Sequence, residues 1–432
     1  MTATPADPRR AERMFAGLAR AFAVSPDYSR AEVARRQTAL VERLVRHARR
    51  HVPFYREGDR LAPLFRADGA FDMAGWPDVP ILTRREARDN EEALRAELLP
   101  SDMAPLEAVS TSGSTGLQFN FRTTLVQRVA AEVLANRTLH WRGLLPFGRV
   151  AVSKYYLPEG EPIPGIYVIP AGMDFERQVD ALRMNGTTHA FATPSVAAGW
   201  AEAAGGTTGL RLRAIVLTGE KLAPDVRAKI ERGLGAPAID VYSTSEVGSI
   251  ANEGPDGVLR VNEELTLLEG PPDGADATAP VPVVTTPFYA YATPLIRYAP
   301  GDHVVFAPNA SGRARGLRRL AEVLGRTHSL LRMPDGRPFL ATAARITEIE
   351  GHVDPLAWQI EQTRLDALTL RIVPRARPDD AQREFVRRRM ALWFPAHATD
   401  VLFVESIAKG AGGKSHEFFA SRLDAETLPA RA

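Results

Sequence analysis

Residues 214–242 read AIVLTGEKLAPDVRAKIERGLGAPAIDVY and decide the fold. The apolar runs Ala214 to Thr218 and Ala238 to Tyr242 have the length of strands, and Pro224 to Leu234 between them has the pattern of a helix. The preceding chain alternates strands and helices in the same way, at Val150 to Ser153, Tyr167 to Pro170, Phe175 to Met184, Ala190 to Thr193 and Val196 to Ala204. This alternation predicts a mostly parallel, wound α/β sheet.

The N-terminal part of the chain has a helical pattern instead. Apolar residues recur at helical spacing from Met14 through Phe22 and from Val33 through Val45. A short polar helix is predicted after Leu82, with Thr83 as its N-cap and Glu86 completing a capping box.

The composition shifts near Gly325-Arg326. Beyond this point Ala367 to Val373 and Asp400 to Val404 are strand-like, and Asp380 to Phe394 is helix-like. We therefore expect a large N-terminal wound α/β domain over residues 1–326 and a small α+β domain over residues 327–432.

Composition limits the classes of function. The chain has 432 residues, a globular balance of 45% apolar and 25% charged residues, and a net charge of +2, which gives no reason to expect nucleic acid as a partner. It contains no cysteine, which excludes disulfides and thiolate catalysis. No apolar stretch has the roughly 20 residues of a membrane span, and the N-terminus lacks the apolar segment of a signal peptide. A cytoplasmic protein is the default expectation.

Two polar segments follow predicted strands and suit phosphate chemistry. The loop Thr111-Ser112-Gly113-Ser114-Thr115-Gly116 is expected between a strand and a helix, where backbone N–H groups and hydroxyls can approach a polyphosphate. It lacks the lysine of a P-loop. Tyr242 to Glu246 come directly after a strand, where ligand sites of wound sheets cluster, and a carboxylate there can hold Mg²⁺ against phosphate oxygens.

Three further residues have matching chemistry. Asp302 follows a tight turn, and its carboxylate can accept both hydrogen bonds of a ribose diol. Arg326 offers a guanidinium near the same ligand. Lys414 ends the glycine-rich run Gly410 to Lys414, where a flexible ammonium can neutralise phosphate and carboxylate together. Each feature alone is compatible with an ordinary loop, cap or turn; the order and spacing of the whole set are what indicate function.

In that order and spacing the chain resembles the adenylate-forming superfamily of acyl-CoA synthetases and related ligases, and in particular its phenylacetate–CoA ligase branch. The resemblance covers nearly the whole chain. It rests on the segments His51 to Tyr55, Val79 to Thr83, Ser112 to Gly116, Val168 to Pro170, Thr193 to Ser195, Thr218 to Glu220, Tyr242 to Glu246, Ile296 to Asp302, Gly325-Arg326, Trp358 to Glu361 and Gly413-Lys414.

The resemblance implies a role for each matching residue. Ser112, Gly113, Ser114, Thr115 and Gly116 would hold the β- and γ-phosphates of ATP. Near the nucleotide, Gly219 and Glu220 would lie beside the adenine, Tyr242 would stack near it, Ser245 would lie near the α-phosphate and Glu246 would bind Mg²⁺. Asp302 would hold the ribose with support from Arg326, and Lys414, on a rotating C-terminal lid domain, would serve adenylation. Tyr155, Tyr156 and Ala192 are the acyl-pocket candidates.

The chain departs from the family pattern at the domain boundary. His328 and Ser329 stand where relatives usually carry an acidic hinge residue, and Leu331 to Gly336 alters the arginine-glycine turn that follows. In relatives that segment helps to build the acceptor channel. These departures weaken the expectation of coenzyme A as acceptor more than the expectation of ATP.

We therefore expect ATP- and Mg²⁺-dependent activation of a carboxylic acid, aryl or small and unsaturated, as an acyl-AMP, followed by transfer to an acceptor such as coenzyme A. An amine, a carrier-protein thiol or nitrite are alternative acceptors, for amide synthesis or diazotisation. A non-catalytic nucleotide-binding paralogue and an ADP-forming kinase are less compatible with the motif set. The oligomeric state is open, with a homodimer as one option.

Overall fold

The computed structural model describes residues 8–100, 103, 106–110, 119–145, 148–154, 160–163, 166–170, 173–271, 279–307, 316–326, 331–334, 338–339, 349, 352–407 and 418–419. These residues form two compact units. The larger is drawn from residues 8–323 and the smaller from residues 324–419.

The helices in the described part of the chain are α1 Pro8–Ala23, α2 Arg30–His51, α3 Pro53–Arg56, α4 Arg84–Asp89, α5 Leu125–Trp141, α6 Phe175–Met184, α7 Pro194–Ala203, α8 Pro224–Leu234 and α9 Asp380–Trp393. Short 3₁₀ helices cover Ser25–Asp27, Ala62–Leu64 and Met73–Asp78. Among these described helices, none has both the length and the apolar composition needed to cross a membrane.

The strands are β1 Leu82–Thr83, β2 Glu107–Ser110, β3 Asn120–Thr123, β4 Val150–Lys154, β5 Gly160–Ile163, β6 Ile166–Pro170, β7 His189–Ala192, β8 Ala214–Thr218, β9 Ala238–Thr244, β10 Gly248–Glu253, β11 Leu259–Val261, β12 Thr266–Leu268, β13 Val281–Pro282, β14 Thr285–Pro287, β15 Tyr298–Ala299, β16 Asp302–Phe306, β17 Arg319–Arg326, β18 Leu331–Arg332, β19 Pro338–Phe339, β20 Pro355–Arg364, β21 Ala367–Pro374, β22 Ala398–Phe403 and β23 Phe418–Phe419.

The main sheet of the larger unit has the strand order β13-β16-β17-β11-β10-β9-β8-β7-β4-β6-β5 in the described residues. Its centre, from β6 through β4, β7 and β8 to β9, is parallel. The helices α6, α7 and α8 follow strands of this parallel part, and Trp200 of α7 is fully buried with Ile215 and Leu217 of β8 in one apolar cluster. The wound α/β fold expected from residues 214–242 is confirmed.

A second sheet in the larger unit has the order β1-β15-β14-β12. Strand β1 is parallel to β15, so that Leu82 pairs with Tyr298 and Thr83 with Ala299. Tyr55 fixes the chain before β15: its buried hydroxyl donates to Pro294 O and accepts from Ile296 N, each at 3.1 Å. Burial raises the pKa of the Tyr55 phenol, which keeps this donor protonated.

Arg297, just before β15, has a positive φ of 51°. Its Nη1 donates to the carbonyls of Trp76, Pro77 and Val79, while Nε and Nη2 bind Glu269 at 2.8 and 2.7 Å. These bonds over-determine a backbone conformation that a non-glycine residue rarely adopts, and they fix the strand that carries Tyr298.

One strand was not expected from the sequence. Between the Ser112 to Gly116 loop and the helix that follows, Asn120–Thr123 forms β3, which pairs antiparallel with β2. Exposure alternates along β3, with Phe121 and Thr123 buried, as a strand requires. Helix α5 starts only at Leu125, behind the N-cap Thr124.

The smaller unit contains a sheet with the order β22-β21-β20-β23. Helix α9 connects β21 to β22, which lie parallel. Its Val386 and Met390 are fully buried with Leu370 and Ile372 of β21. The expected strand, helix and strand of this region are confirmed, within a few residues at each boundary.

Candidate active site

The carboxyl ends of β7, β8 and β9 lie side by side, because Ala192 pairs with Leu217 and Thr218 with Val241 in register. Ala192 is buried at the end of β7. Each strand is followed by a polar turn, and in open α/β sheets this edge is where ligands bind. The turns bring together four of the residues singled out in the sequence: Gly219, Glu220, Ser245 and Glu246.

The turn after β8 is tied to the start of α7. Glu220 Oε2 accepts from Ser195 N and Oε1 accepts from Ser195 Oγ, both at 3.0 Å. Gly219 has a φ of 87°, which allows the chain to turn before Glu220. Ser195 is the second residue of α7, so the Glu220 carboxylate lies at the positive end of that helix. The pairing of Glu220 with Ser195 was not expected from the sequence.

The turn between β9 and β10 separates two residues with different exposure. Ser245 is exposed, whereas Glu246 is 3% exposed. Thr244 Oγ1 accepts from Val247 N at 3.2 Å, and Gly248 has a φ of 86° where β10 begins. The turn therefore presents a serine hydroxyl to solvent and keeps the carboxylate of Glu246 inside.

Tyr242 and Asp302 form a buried pair. The Tyr242 hydroxyl donates to Asp302 Oδ2 at 2.8 Å, and the two residues are 8% and 7% exposed. Asp302 begins β16 directly after Gly301, whose φ of 92° makes the preceding turn. This bond joins two residues to which the resemblance gives neighbouring roles.

Glu246 contacts two residues for which the sequence predicted no role. Tyr298 Oη donates to Glu246 Oε1 at 3.2 Å, and Arg84 Nη1 lies 3.8 Å from the same oxygen. Tyr298 is fully buried in β15 and Arg84 is the first residue of α4. Both lie far from Glu246 in sequence, and the pairing of β1 with β15 places Arg84, which follows β1, beside the strand that carries Tyr298.

The donor set of this site fits Mg²⁺. Magnesium prefers oxygen ligands and binds enzymes through one or two carboxylates plus substrate phosphates. Glu246 supplies one such carboxylate. Within the described residues no group of three or more His, Asp or Glu side chains could form an all-protein metal cage, so a metal ion held here would take most of its ligands from substrate and water.

A second cluster of charges lies at the other end of β9. The Glu253 carboxylate accepts from Arg227 Nη2 at 2.9 Å and from Asp240 N at 2.7 Å, and Arg142 lies 3.4 Å from it. Burial, and then the charge of Glu253, raise the pKa of the Asp240 carboxyl to about 6. Asp240 is two residues before Tyr242, but its environment is that of a structural network.

Comparison with known proteins connects this geometry with a family. Phenylacetate–coenzyme A ligase of Escherichia coli strain K12 is 27% identical over 378 residues, which cover 78% of this chain and 81% of that enzyme. The chain is a phenylacetate–coenzyme A ligase homologue. No protein-family model matches this chain.

Solved structures of the adenylate-forming superfamily share the fold of this chain. The structure of 2-hydroxyisobutyryl-CoA ligase in the postadenylation state, in complex with R3-HIB-AMP, matches with a TM-score of 0.70 and 19% identity, over 98% of this chain and 94% of that one. The O-succinylbenzoate coenzyme A synthetase of Bacillus subtilis, in complex with ATP and magnesium ion, matches with a TM-score of 0.50 and 14% identity, over 71% and 68%.

Some residues expected at the active site lie outside the part of the chain that the structure describes. They are Ser112, Gly113, Ser114, Thr115, Gly116, Tyr155, Tyr156 and Lys414, together with His328 and Ser329 near the domain boundary. Arg326 ends β17, but its side chain is also outside the description. The roles expected for all of these residues stay predictions.

Proposed function

We propose that the chain activates a carboxylic acid with ATP as an acyl-AMP, with release of pyrophosphate, and then transfers the acyl group to coenzyme A. The observation that carries this proposal is the bond from Tyr242 to Asp302. It supports a nucleoside site beside the turn that holds Ser245 and Glu246, at the sheet edge where ligands of wound α/β folds bind. The homology to phenylacetate–coenzyme A ligase supports the same chemistry.

The reaction needs charge neutralisation and positioning more than proton transfer, because a carboxylate attacks an α-phosphate. We assign ribose binding to Asp302, the adenine side to Gly219, Glu220 and Tyr242, and the α-phosphate side to Ser245. Mg²⁺ bound at Glu246 would supply charge neutralisation at the phosphates.

For residues outside the described part of the chain we propose the roles that the resemblance gives them. Ser112 to Gly116 would bind the β- and γ-phosphates, Arg326 would support the ribose, and Lys414 would contact the α-phosphate and the acid. We retain the division into an adenylation domain, residues 1–326, and a lid domain, residues 327–432. A cytoplasmic location and a homodimer stay predictions.

An aryl or small unsaturated acid is the proposed substrate, with Ala192, Tyr155 and Tyr156 in the acyl pocket. The buried methyl group of Ala192 at the end of β7 is compatible with a wall of such a pocket. The E. coli relative is named for phenylacetate, which supports an aryl acid. Coenzyme A is the proposed acceptor because the relative is a coenzyme A ligase.

Nucleotide product analysis tests the proposal. The protein is incubated with ATP, Mg²⁺ and a panel of aryl and short-chain acids, with and without coenzyme A, an amine, a carrier protein or nitrite. AMP and pyrophosphate that appear with one acid, faster with coenzyme A, are the expected result. Faster turnover with an amine, carrier thiol or nitrite would mean that this compound, and not coenzyme A, is the acceptor. ADP as product would contradict adenylation.

A further inference from the structure

A basic side chain lies beside the buried carboxylate of Glu246. Arg84 Nη1 is 3.8 Å from Glu246 Oε1, and the two side chains are 20% and 3% exposed. The same oxygen accepts from the Tyr298 hydroxyl. A carboxylate so far removed from water needs a counter-charge, and Arg84 provides a positive charge directly at the carboxylate to which we assign the metal.

Regular structure fixes the position of Arg84. Strand β1 pairs with β15, which sets Thr83 opposite Ala299, and Thr83 then caps α4 by accepting from Glu86 N at 3.2 Å. Arg84 is the first residue of that helix. The next residue, Arg85, has a side chain 87% exposed and lies 3.7 Å from Asp89 on the surface.

A guanidinium and a divalent cation at one carboxylate repel each other. With Arg84 in place, Glu246 is therefore a poor site for a free metal ion. A polyphosphate removes the conflict, because its negative charges attract both cations. Arginine is well suited to this task, since its planar donors bind phosphate oxygens in pairs and its charge does not titrate.

We propose that Arg84 is a polyphosphate-binding residue of this site. It pairs with Glu246 when no nucleotide is bound, and it binds phosphate oxygens of the nucleotide and of the pyrophosphate product. Metal and polyphosphate consequently bind together, and the free metal ion binds weakly. This inference rests on the proposed function, since it assumes that Glu246 faces the phosphates of ATP.

Binding measurements test the proposal without turnover. Isothermal titration calorimetry of the wild type and of Arg84→Gln is carried out with pyrophosphate in the presence of Mg²⁺, and separately with Mn²⁺ alone. We expect Arg84→Gln to bind pyrophosphate about tenfold more weakly and Mn²⁺ alone several-fold more tightly. The matched control is Arg85→Gln, which removes an arginine one residue away and leaves both affinities within about twofold.

Unchanged pyrophosphate affinity in a folded Arg84→Gln protein overturns the proposal. If that variant does not fold, because Glu246 has lost its counter-charge, Arg84→Lys takes its place. Lysine keeps the charge but loses the paired donors, so a weaker pyrophosphate affinity, by about three- to fivefold, supports the proposal and an unchanged affinity overturns it. A wild-type protein that binds neither ATP nor pyrophosphate overturns the proposed function itself, before any variant is compared.

Discussion

The hydroxyl of Tyr242 donates a 2.8 Å hydrogen bond to the carboxylate of Asp302, 60 residues further along the chain. The bond links the end of β9 to the start of β16, and both residues are almost fully buried. A buried carboxylate is oriented by the donors that it accepts from. Tyr242 therefore acts on any ligand of Asp302 through the position of that carboxylate.

Replacement of Tyr242 by phenylalanine tests this relationship. Loss of a donor to a buried carboxylate costs about 1–2 kcal/mol, so we expect the KM for ATP to rise roughly 5- to 30-fold with a smaller change in kcat. Steady-state kinetics at saturating acid measure both constants. Tyr28→Phe, far from the site in sequence and beside Arg36, is the control; an ATP KM unchanged in Tyr242→Phe argues against a nucleoside site at Asp302.

The contact between Glu220 and Ser195 makes a second prediction. Glu220→Ala removes the two carboxylate oxygens that accept from Ser195 and the negative charge at the start of α7, so we expect the free energy of unfolding to fall by about 0.5–1 kcal/mol. Glu220→Gln keeps an acceptor and is expected to retain roughly half of that stability. Urea denaturation measures the series; equal losses for alanine and glutamine would mean that only the charge matters.

Asp240 gives the stability a specific pH dependence. Its folded pKa of about 6 lies above the ordinary value of 3.8, so the folded protein binds the proton more tightly than the unfolded chain does. The carboxyl therefore costs no stability below about pH 4, and its cost grows as the pH rises to 6 and is complete above it.

Asp240→Asn removes that cost. We expect the variant to have a free energy of unfolding about 1–3 kcal/mol higher than the wild type at pH 7.5, and no such gain at pH 4. The exposed Asp180, which pairs with Arg183 at 3.2 Å, is the matched control: Asp180→Asn changes stability by less than about 0.5 kcal/mol at either pH. A gain at pH 4 as large as at pH 7.5 would disagree with a raised pKa.

The C-terminal lysine makes a functional prediction. If Lys414 neutralises charge at the α-phosphate, Lys414→Ala lowers the rate of AMP formation by about 100-fold or more and leaves the thermal unfolding of the protein unchanged. Lys409→Ala, in the same segment of the sequence, is the control and should keep most of the activity. If the Lys414→Ala protein forms AMP at the wild-type rate, the role assigned to Lys414 is contradicted.

The sequence predicted those parts of the molecule that are encoded locally. The strand, helix and strand of residues 214–242 appear within two residues of their expected ends, because apolar strands buried on both faces and an amphipathic helix leave a local pattern. The N-cap at Thr83 is also local and was found. The Glu86 carboxylate, expected to complete the capping box, lies 3.0 Å from Arg60 instead.

The contacts that build the site could not be predicted from local sequence patterns. Arg84 comes to lie beside Tyr298 through the pairing of β1 with β15 across more than 200 residues of sequence. In the sequence, an arginine at a predicted helix start cannot be distinguished from an ordinary surface arginine. The strand β3 was missed for a related reason: a four-residue alternation directly before a long helix is too short to stand out from it.

Acid-dependent exchange of labelled pyrophosphate into ATP is the most direct test of the central claim, because it measures the reversible formation of acyl-AMP without any acceptor. We predict exchange that requires Mg²⁺ and one acid of the aryl or small unsaturated class, and that Glu246→Gln reduces by about 100-fold or more. If the wild type exchanges no pyrophosphate with any acid, or if Glu246→Gln exchanges at the wild-type rate, the account of this site is contradicted.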